Sequence, residues 1–271
     1  MILLLAGSLV ISLTAGVPQP MCVYYGQACD GFGWPYQQDA EVILYANDSE
    51  IYRYTIDGSI EPGINFMLHA YLDDGSDKEQ YARNTVLKSD IVTIKIRDHY
   101  GLKTLVETNA IPSAIVPGGL YRVRITAGSD SDADGLSDQW EWEMIDWLND
   151  PSIVTLADIN PDDDSDGDGA SNRDEYDAGT FAFLDYDYFA IRAMTPMPSR
   201  RMRIIIPTVP GKTYSVEETA NLVQPSWETM SFALDDVAGV SHTRVEGDGG
   251  WMSLYVTVTN STLSYFRMVV E

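Results

Sequence analysis

The sequence predicts a mainly-β protein in which two β-sandwich domains are joined by a loop–helix segment. Three observations carry this reading. Residues 22–127 and 188–271 break into short runs rich in Val, Ile, Thr and aromatic residues, punctuated by Gly, Asp, Asn and Pro. Residues 129–180 change character, with Asp-rich loops around one helical window. The 271 residues, 45% of them hydrophobic, suffice for more than one packed core.

Charge narrows the possible partners. The chain has 17 basic and 41 acidic residues, a net charge of −24 with His neutral. Residues 129–187 hold 19 acids and one base, Arg173, so this stretch alone carries −18 and the rest only −6. Such a balance argues against nucleic acid, whose phosphates need a basic surface, and against anionic lipid headgroups. It favours cations. With two Cys and three His in the whole chain, Asp and Glu are the available ligands, and they suit hard cations.

Residues 1–21 open MILLLAGSLVISLTAGVPQP, an apolar run of about 15 residues followed by small ones. This is a signal-peptide-like segment, although no Lys or Arg precedes it, and it is short for a membrane span. A retained strand and a membrane anchor are the competing readings. A secreted, extracellular or cell-surface protein with no stable membrane span is expected. If residues 1–16 were retained, they would be a candidate donated strand for self-assembly.

Residues 22–128 form the first domain. Runs CVYYGQAC, EVILYA, IYRYTI, INFMLHAY, IVTIKI, TLVE and YRVRIT predict about seven strands and a sandwich. Cys22 and Cys29 lie seven apart. In one extended strand they would stand about 23 Å apart and could not bond. A hairpin at Tyr25-Gly26 would join them, so a disulfide and two unbonded thiols both remain open. The opening stretch, with Asp30, Gly33 and Pro35 in a turn followed by Ala40, Val42 and Leu44, resembles the carboxypeptidase-regulatory, prealbumin-like β-sandwiches of bacterial surface proteins. That resemblance covers some 25 residues and implies a structural or presentation domain.

Residues 129–180 carry the most specific pattern. A twelve-residue EF-hand loop takes calcium ligands from positions 1, 3, 5, 7, 9 and 12, with Gly at 6 for the sharp turn. Residues 130–141 place Asp130, Asp132, Asp134, the Leu136 carbonyl, Asp138 and Glu141 at those positions, with Gly135 at 6. Residues 164–175 repeat the register with Asp164, Asp166, Asp168, the Ala170 carbonyl, Asn172 and Glu175, and with Gly169 at 6. An acidic linker has no reason to repeat Gly and Glu at those offsets. The sequence therefore predicts two Ca2+ sites. Asp138 and Glu141 also fit a capping box opening a helix over residues 139–149. Its apolar stripe of Trp140, Met144, Trp147 and Leu148 is expected to pack on a β-domain or on the second loop.

The segment departs from paired EF-hands. A strand-like run, YRVRITAG, precedes the first loop in place of a helix, and Ser137 and Ser171 occupy position 8, where an apolar residue usually joins the two loops. The pattern resembles instead the thrombospondin type 3-like calcium repeats of bacterial secreted proteins, with dockerin modules the nearest alternative. Gly179-Thr180-Phe181 stands where that family continues Gly-Thr-Asp-Pro. The resemblance covers about 50 residues and implies structural calcium.

Residues 181–271 form the last domain, with strands in RMRIIIP, TYSVEET, SWETMSF, WMSLYVTVT and YFRMVV. Gly211, Tyr214, Val216, Glu217, Trp227, Phe266 and Arg267 resemble the pattern of a small β-sandwich common at the ends of large bacterial secreted proteins. No nucleophile elbow, zinc-protease motif or Walker loop occurs anywhere in the chain. His69, His99 and His242 read as structural residues, and Trp34, Trp227 and Trp251 as packing residues before sugar platforms. The expected function is non-enzymatic: an exported structural or adhesive protein whose two calcium loops rigidify the junction between β-domains. A carbohydrate-binding or dockerin-like module, docking on a surface polysaccharide or another surface protein, is the alternative. An unrecognised hydrolase ranks below both.

Overall fold

The computed structural model describes residues 19–73, 75, 84–107, 115–237, 241–258 and 264–271. Eight strands make the first domain: β1 (Gln19–Cys29), β2 (Gln38–Ala46), β3 (Ser49–Asp57), β4 (Phe66–Asp73), β5 (Thr85–Leu87), β6 (Val92–Asp98), β7 (Gly101–Lys103) and β8 (Leu120–Thr126). They form two four-stranded sheets, ordered β5-β4-β1-β8 and β3-β2-β6-β7. Alternate residues point inward, as the pleat requires. Tyr24, Val42, Leu44, Phe66, Leu68, Ile96 and Ile125 therefore meet in one core between the sheets. The sandwich expected from the sequence is present, with β5 and β7 as short additions. The TLVE run contributes only an isolated bridge from Leu105 to Ala127.

β1 bears on two of these readings. It begins at Gln19, so residues 19–21 of the signal-peptide-like segment are strand. Residues 1–18 lie outside the described residues, and with them the leader and donated-strand readings. No hairpin forms at Tyr25-Gly26, because those residues pair with β4 on one side and β8 on the other. Cys22 and Cys29 therefore sit in one continuous strand, both buried and unbonded.

The middle segment holds α1 (Asp138–Leu148), a single 3-10 turn (Leu156–Asp158) and α2 (Asn172–Ala178). Its small core joins Leu136, Trp140, Met144, Ile159, Tyr176 and Ala182. The α1 stripe thus packs on the second loop's helix, as expected, with Leu148 at its edge, but Trp147 does not. Trp147 is 62% exposed and stacks on Phe183 at 4.9 Å between ring centroids.

The last domain contains β9 (Ala193–Met197), β10 (Arg201–Pro207), β11 (Thr213–Thr219), β12 (Glu228–Thr229), β13 (Phe232–Ala233), β14 (Val245–Glu246), β15 (Trp251–Thr257) and β16 (Tyr265–Val270). One sheet runs β13-β15-β10-β9. In the other, β11 pairs with β12, β14 and β16. Ile204, Ile206, Tyr214, Val216, Phe232, Leu254 and Val256 fill the core between them. β9 and β14 were not visible in the sequence: β9 is mostly exposed and carries a Pro, and β14 has only two residues. No helix among the described residues is long and apolar enough to cross a membrane.

The three parts meet around α2. Asp177 accepts a hydrogen bond from Arg124 Nη1 of β8 at 2.7 Å, while its backbone carbonyl accepts one from Lys212 Nζ at 2.8 Å. Lys212 is fully buried, and that burial pulls its ammonium down to about pKa 8. Gln27 Nε2 donates directly from β1 to the Gly211 carbonyl across the two sandwiches.

Candidate metal centre

Both acidic loops curl in the same way, because the first Asp of each ties down the turn. Asp130 accepts from the backbone N–H groups of Asp134 and Gly135 at 3.2 and 2.9 Å. Asp164 accepts from Gly167, Asp168 and Gly169. The turn needs left-handed backbone at position 6, where Gly135 has φ 90° and Gly169 φ 102°. In this curl the carboxylate oxygens of Asp130, Asp132 and Asp134 lie within 4.8 Å of one another, as do those of Asp164, Asp166 and Asp168.

The twelfth residue of each loop stands in the first turn of its helix. Glu141 is fully buried and neither carboxylate oxygen has a hydrogen-bond partner. Burial first, then the negative charge of Asp132 and Asp134, pushes its carboxyl up to about pKa 8. Glu175 is buried as well. Its Oε1 accepts from Thr180 at 3.2 Å and its Oε2 is unpartnered. Burial, with Asp166 and Asp168, pushes it up to about pKa 8 too. Burial and neighbouring acids also raise Asp134 and Asp166.

Position 9 differs between the loops. The Asp138 carboxylate is taken up by Ser131 N–H and by the hydroxyls of Ser129 and Ser131, at 2.6–2.7 Å. It closes the base of the loop and has little capacity for direct ligation. Burial works against it, but these hydrogen bonds prevail and hold its pKa below the usual value. In the second loop, Asn172 Nδ2 donates to the Asn160 carbonyl at 2.7 Å, and the buried Oδ1 is left without a partner.

The helix caps correct the capping-box expectation. Ser137, not Asp138, caps α1 by accepting from Trp140 N–H, and Ser171 caps α2 by accepting from Asp174 N–H. The serines at position 8 therefore replace a loop-to-loop bridge with capping. The Ser137 hydroxyl also donates to the Gly31 carbonyl, docking the first loop onto the Asp30–Pro35 turn of the first sandwich. The loops are joined instead by Arg173, whose Nη1 and Nη2 donate to the Gly135 and Asp134 carbonyls at 2.8 and 2.6 Å. The sequence signal for this residue was its standing as the one base in the acidic stretch.

A hard divalent cation fits this donor set. Each loop offers only oxygens, several of them buried and unpartnered. A buried carboxylate in that state is costly unless a cation compensates it. The remaining candidates have other places. His69 lies in β4 between Tyr52 and Tyr71, His99 lies tilted against Tyr100, and His242 bridges to Phe232. Arg267 covers Trp227 at 4.5 Å, while Trp251 is 68% exposed. No known protein family, curated protein or solved structure matches the chain.

Proposed function

We propose that this is an exported, non-enzymatic calcium-binding structural protein in which two Ca2+ ions fix the junction between its β-domains. The observation that carries the reading is the pair of buried glutamates, Glu141 and Glu175, which have unpartnered oxygens and feel the charge of the two Asp triads. Asp130, Asp132, Asp134, the Leu136 carbonyl and Glu141 would hold one ion, with Asp138 shaping the loop. Asp164, Asp166, Asp168, the Ala170 carbonyl, Asn172 and Glu175 would hold the other. Calcium suits a set with a buried, bidentate-capable Glu, since magnesium prefers to keep its own waters.

The second ion would act on the junction through α2. Glu175 stands two residues before Asp177, which grips both sandwiches through Arg124 and Lys212. The first ion would act through Ser137 and its contact with the Gly31 turn. Without the ions, like charges drive both loops apart and release these grips. Limited proteolysis tests this reading. Residues 129–187 are expected to resist cleavage in calcium and to be cut first in EGTA, before either sandwich. Equal cleavage in both conditions would contradict it.

A further inference from the structure

We propose that the aromatic cleft beside α1 binds a small, free quaternary ammonium cation of the choline type. The cleft has a volume of about 290 Å³. Phe32 and Trp34 enter it from the Asp30–Pro35 turn, Trp140 and Glu143 from α1, and Phe181 and Phe183 from the segment after α2. None of these contacts uses a loop carboxylate.

The walls are held in place independently of any ligand. The Asp30 side chain fixes its turn by accepting from the N–H groups of Phe32 and Trp34 at 2.9 and 3.0 Å. Phe183 is backed by Trp147, stacked at 4.9 Å with 5° between the planes. The lining rings are inclined to one another and do not line up as one flat platform. Phe32 and Trp34 are 6.3 Å apart and inclined by 48°, Trp34 and Phe181 6.2 Å and 71°, Phe181 and Phe183 5.5 Å and 42°.

Charge and size select the occupant. Aromatic faces are electron-rich and attract a cation that sheds its hydration easily, which a methylated ammonium does. Among the described residues Glu143 is the one charged group lining the cleft, and the chain's net charge is −24. The volume lies just below the roughly 300–1,000 Å³ typical of ligand sites. A sugar would need more polar partners than Glu143 and Thr180 supply. A phosphocholine headgroup would bring an anion towards Glu143.

The test titrates choline chloride into the calcium-saturated full chain at constant ionic strength, read by tryptophan fluorescence and calorimetry. The neutral isostere 3,3-dimethylbutan-1-ol and phosphocholine are run beside it. Saturable choline binding near about 1 mM or tighter is expected, with the neutral alcohol at least about tenfold weaker. Glu143→Gln, on the helix surface, is expected to weaken choline about fivefold with an unchanged melting temperature. Trp34→Ala is expected to lose more, and Trp34→Phe to restore part of it. The absence of choline saturation, equal binding of the neutral alcohol, an unaltered affinity in Glu143→Gln, or tighter binding of phosphocholine would each overturn the proposal.

Discussion

Arg173 Nη2 lies 2.6 Å from the Asp134 carbonyl oxygen, so the helix that closes the second acidic loop also holds the backbone of the first. The same guanidinium reaches the Gly135 carbonyl at 2.8 Å. This is a two-pronged, charge-assisted contact between Arg173 and backbone 38 and 39 residues before it in sequence. Ordering α2 through its own loop therefore pre-forms the other loop. Arg173→Met keeps the apolar stem and removes the link. Calcium affinity at the first site is expected to fall about 5–10-fold, in line with about 1–1.5 kcal/mol for losing such hydrogen bonds. Binding to the two loops is then expected to become independent. A calcium isotherm on the variant checks both, and an isotherm identical to that of the parent would show that the contact carries no coupling.

Glu141→Gln and Glu175→Gln separate the cost of the loops from their use. Each glutamate is buried beside like charges, Glu141 with both carboxylate oxygens unpartnered and Glu175 with one. The amide is neutral without the proton that each glutamate must take up on folding, and so it relieves the metal-free fold. Each variant is expected to melt higher than the parent in EGTA, by roughly 2–4 °C for about 1 kcal/mol. In calcium the order is expected to reverse, with one site lost in each. Paired melts in EGTA and calcium read the crossing.

Acidity gives a third expectation. In the metal-free fold Glu141 and Glu175 hold protons up to about pH 8, whereas their ordinary value is 4.5. Between those limits the folded chain binds more protons than the unfolded one. These two groups therefore stabilise the metal-free protein most below about pH 4.5, and their contribution falls as pH rises towards 8. Calcium must displace the same protons, so its binding strengthens with pH over this window. Calorimetry at pH 7 in buffers of different ionisation enthalpy is expected to show net proton release on calcium binding. No release would contradict protonated glutamates in the metal-free loops.

The first sandwich depends on one close approach. Gly26 has φ 149°, and a Cβ there would overlap the Val123 carbonyl oxygen across the β1–β8 pair. Gly26→Ala is expected to cost about 3 kcal/mol or more. Gly58→Ala is the control: φ is 87° but its Cβ would meet nothing within 4 Å. It is expected to cost about 1 kcal/mol from backbone strain alone. Urea midpoints compare the two.

Much of this organisation was legible because local patterns and tertiary needs agree. The alternation in EVILYA and INFMLHAY marks strands whose inward residues, Val42, Leu44, Phe66 and Leu68, fill the first core. The spacing of Asp130, Asp132, Asp134 and Glu141 was readable because a curled loop needs acids and Gly at fixed offsets. The aromatic cleft was not legible. It assembles Phe32, Trp140 and Phe183 from three segments that no local period connects. Nor was the partner of Lys212, since a buried ammonium on the Asp177 carbonyl depends on how the domains meet. Cys22 and Cys29 stayed ambiguous because strand and hairpin give the same local pattern, and only pairing on both sides of β1 excludes the turn.

The central claim is tested most directly by a calorimetric calcium titration on EDTA-stripped protein, with thermal melts alongside. Two bound Ca2+ per chain, a raised melting temperature, and one remaining site in each of Glu141→Gln and Glu175→Gln are the expected results. No binding up to about 10 mM calcium, beyond the about 10⁻⁴–10⁻³ M of weak extracellular modules, would contradict the account.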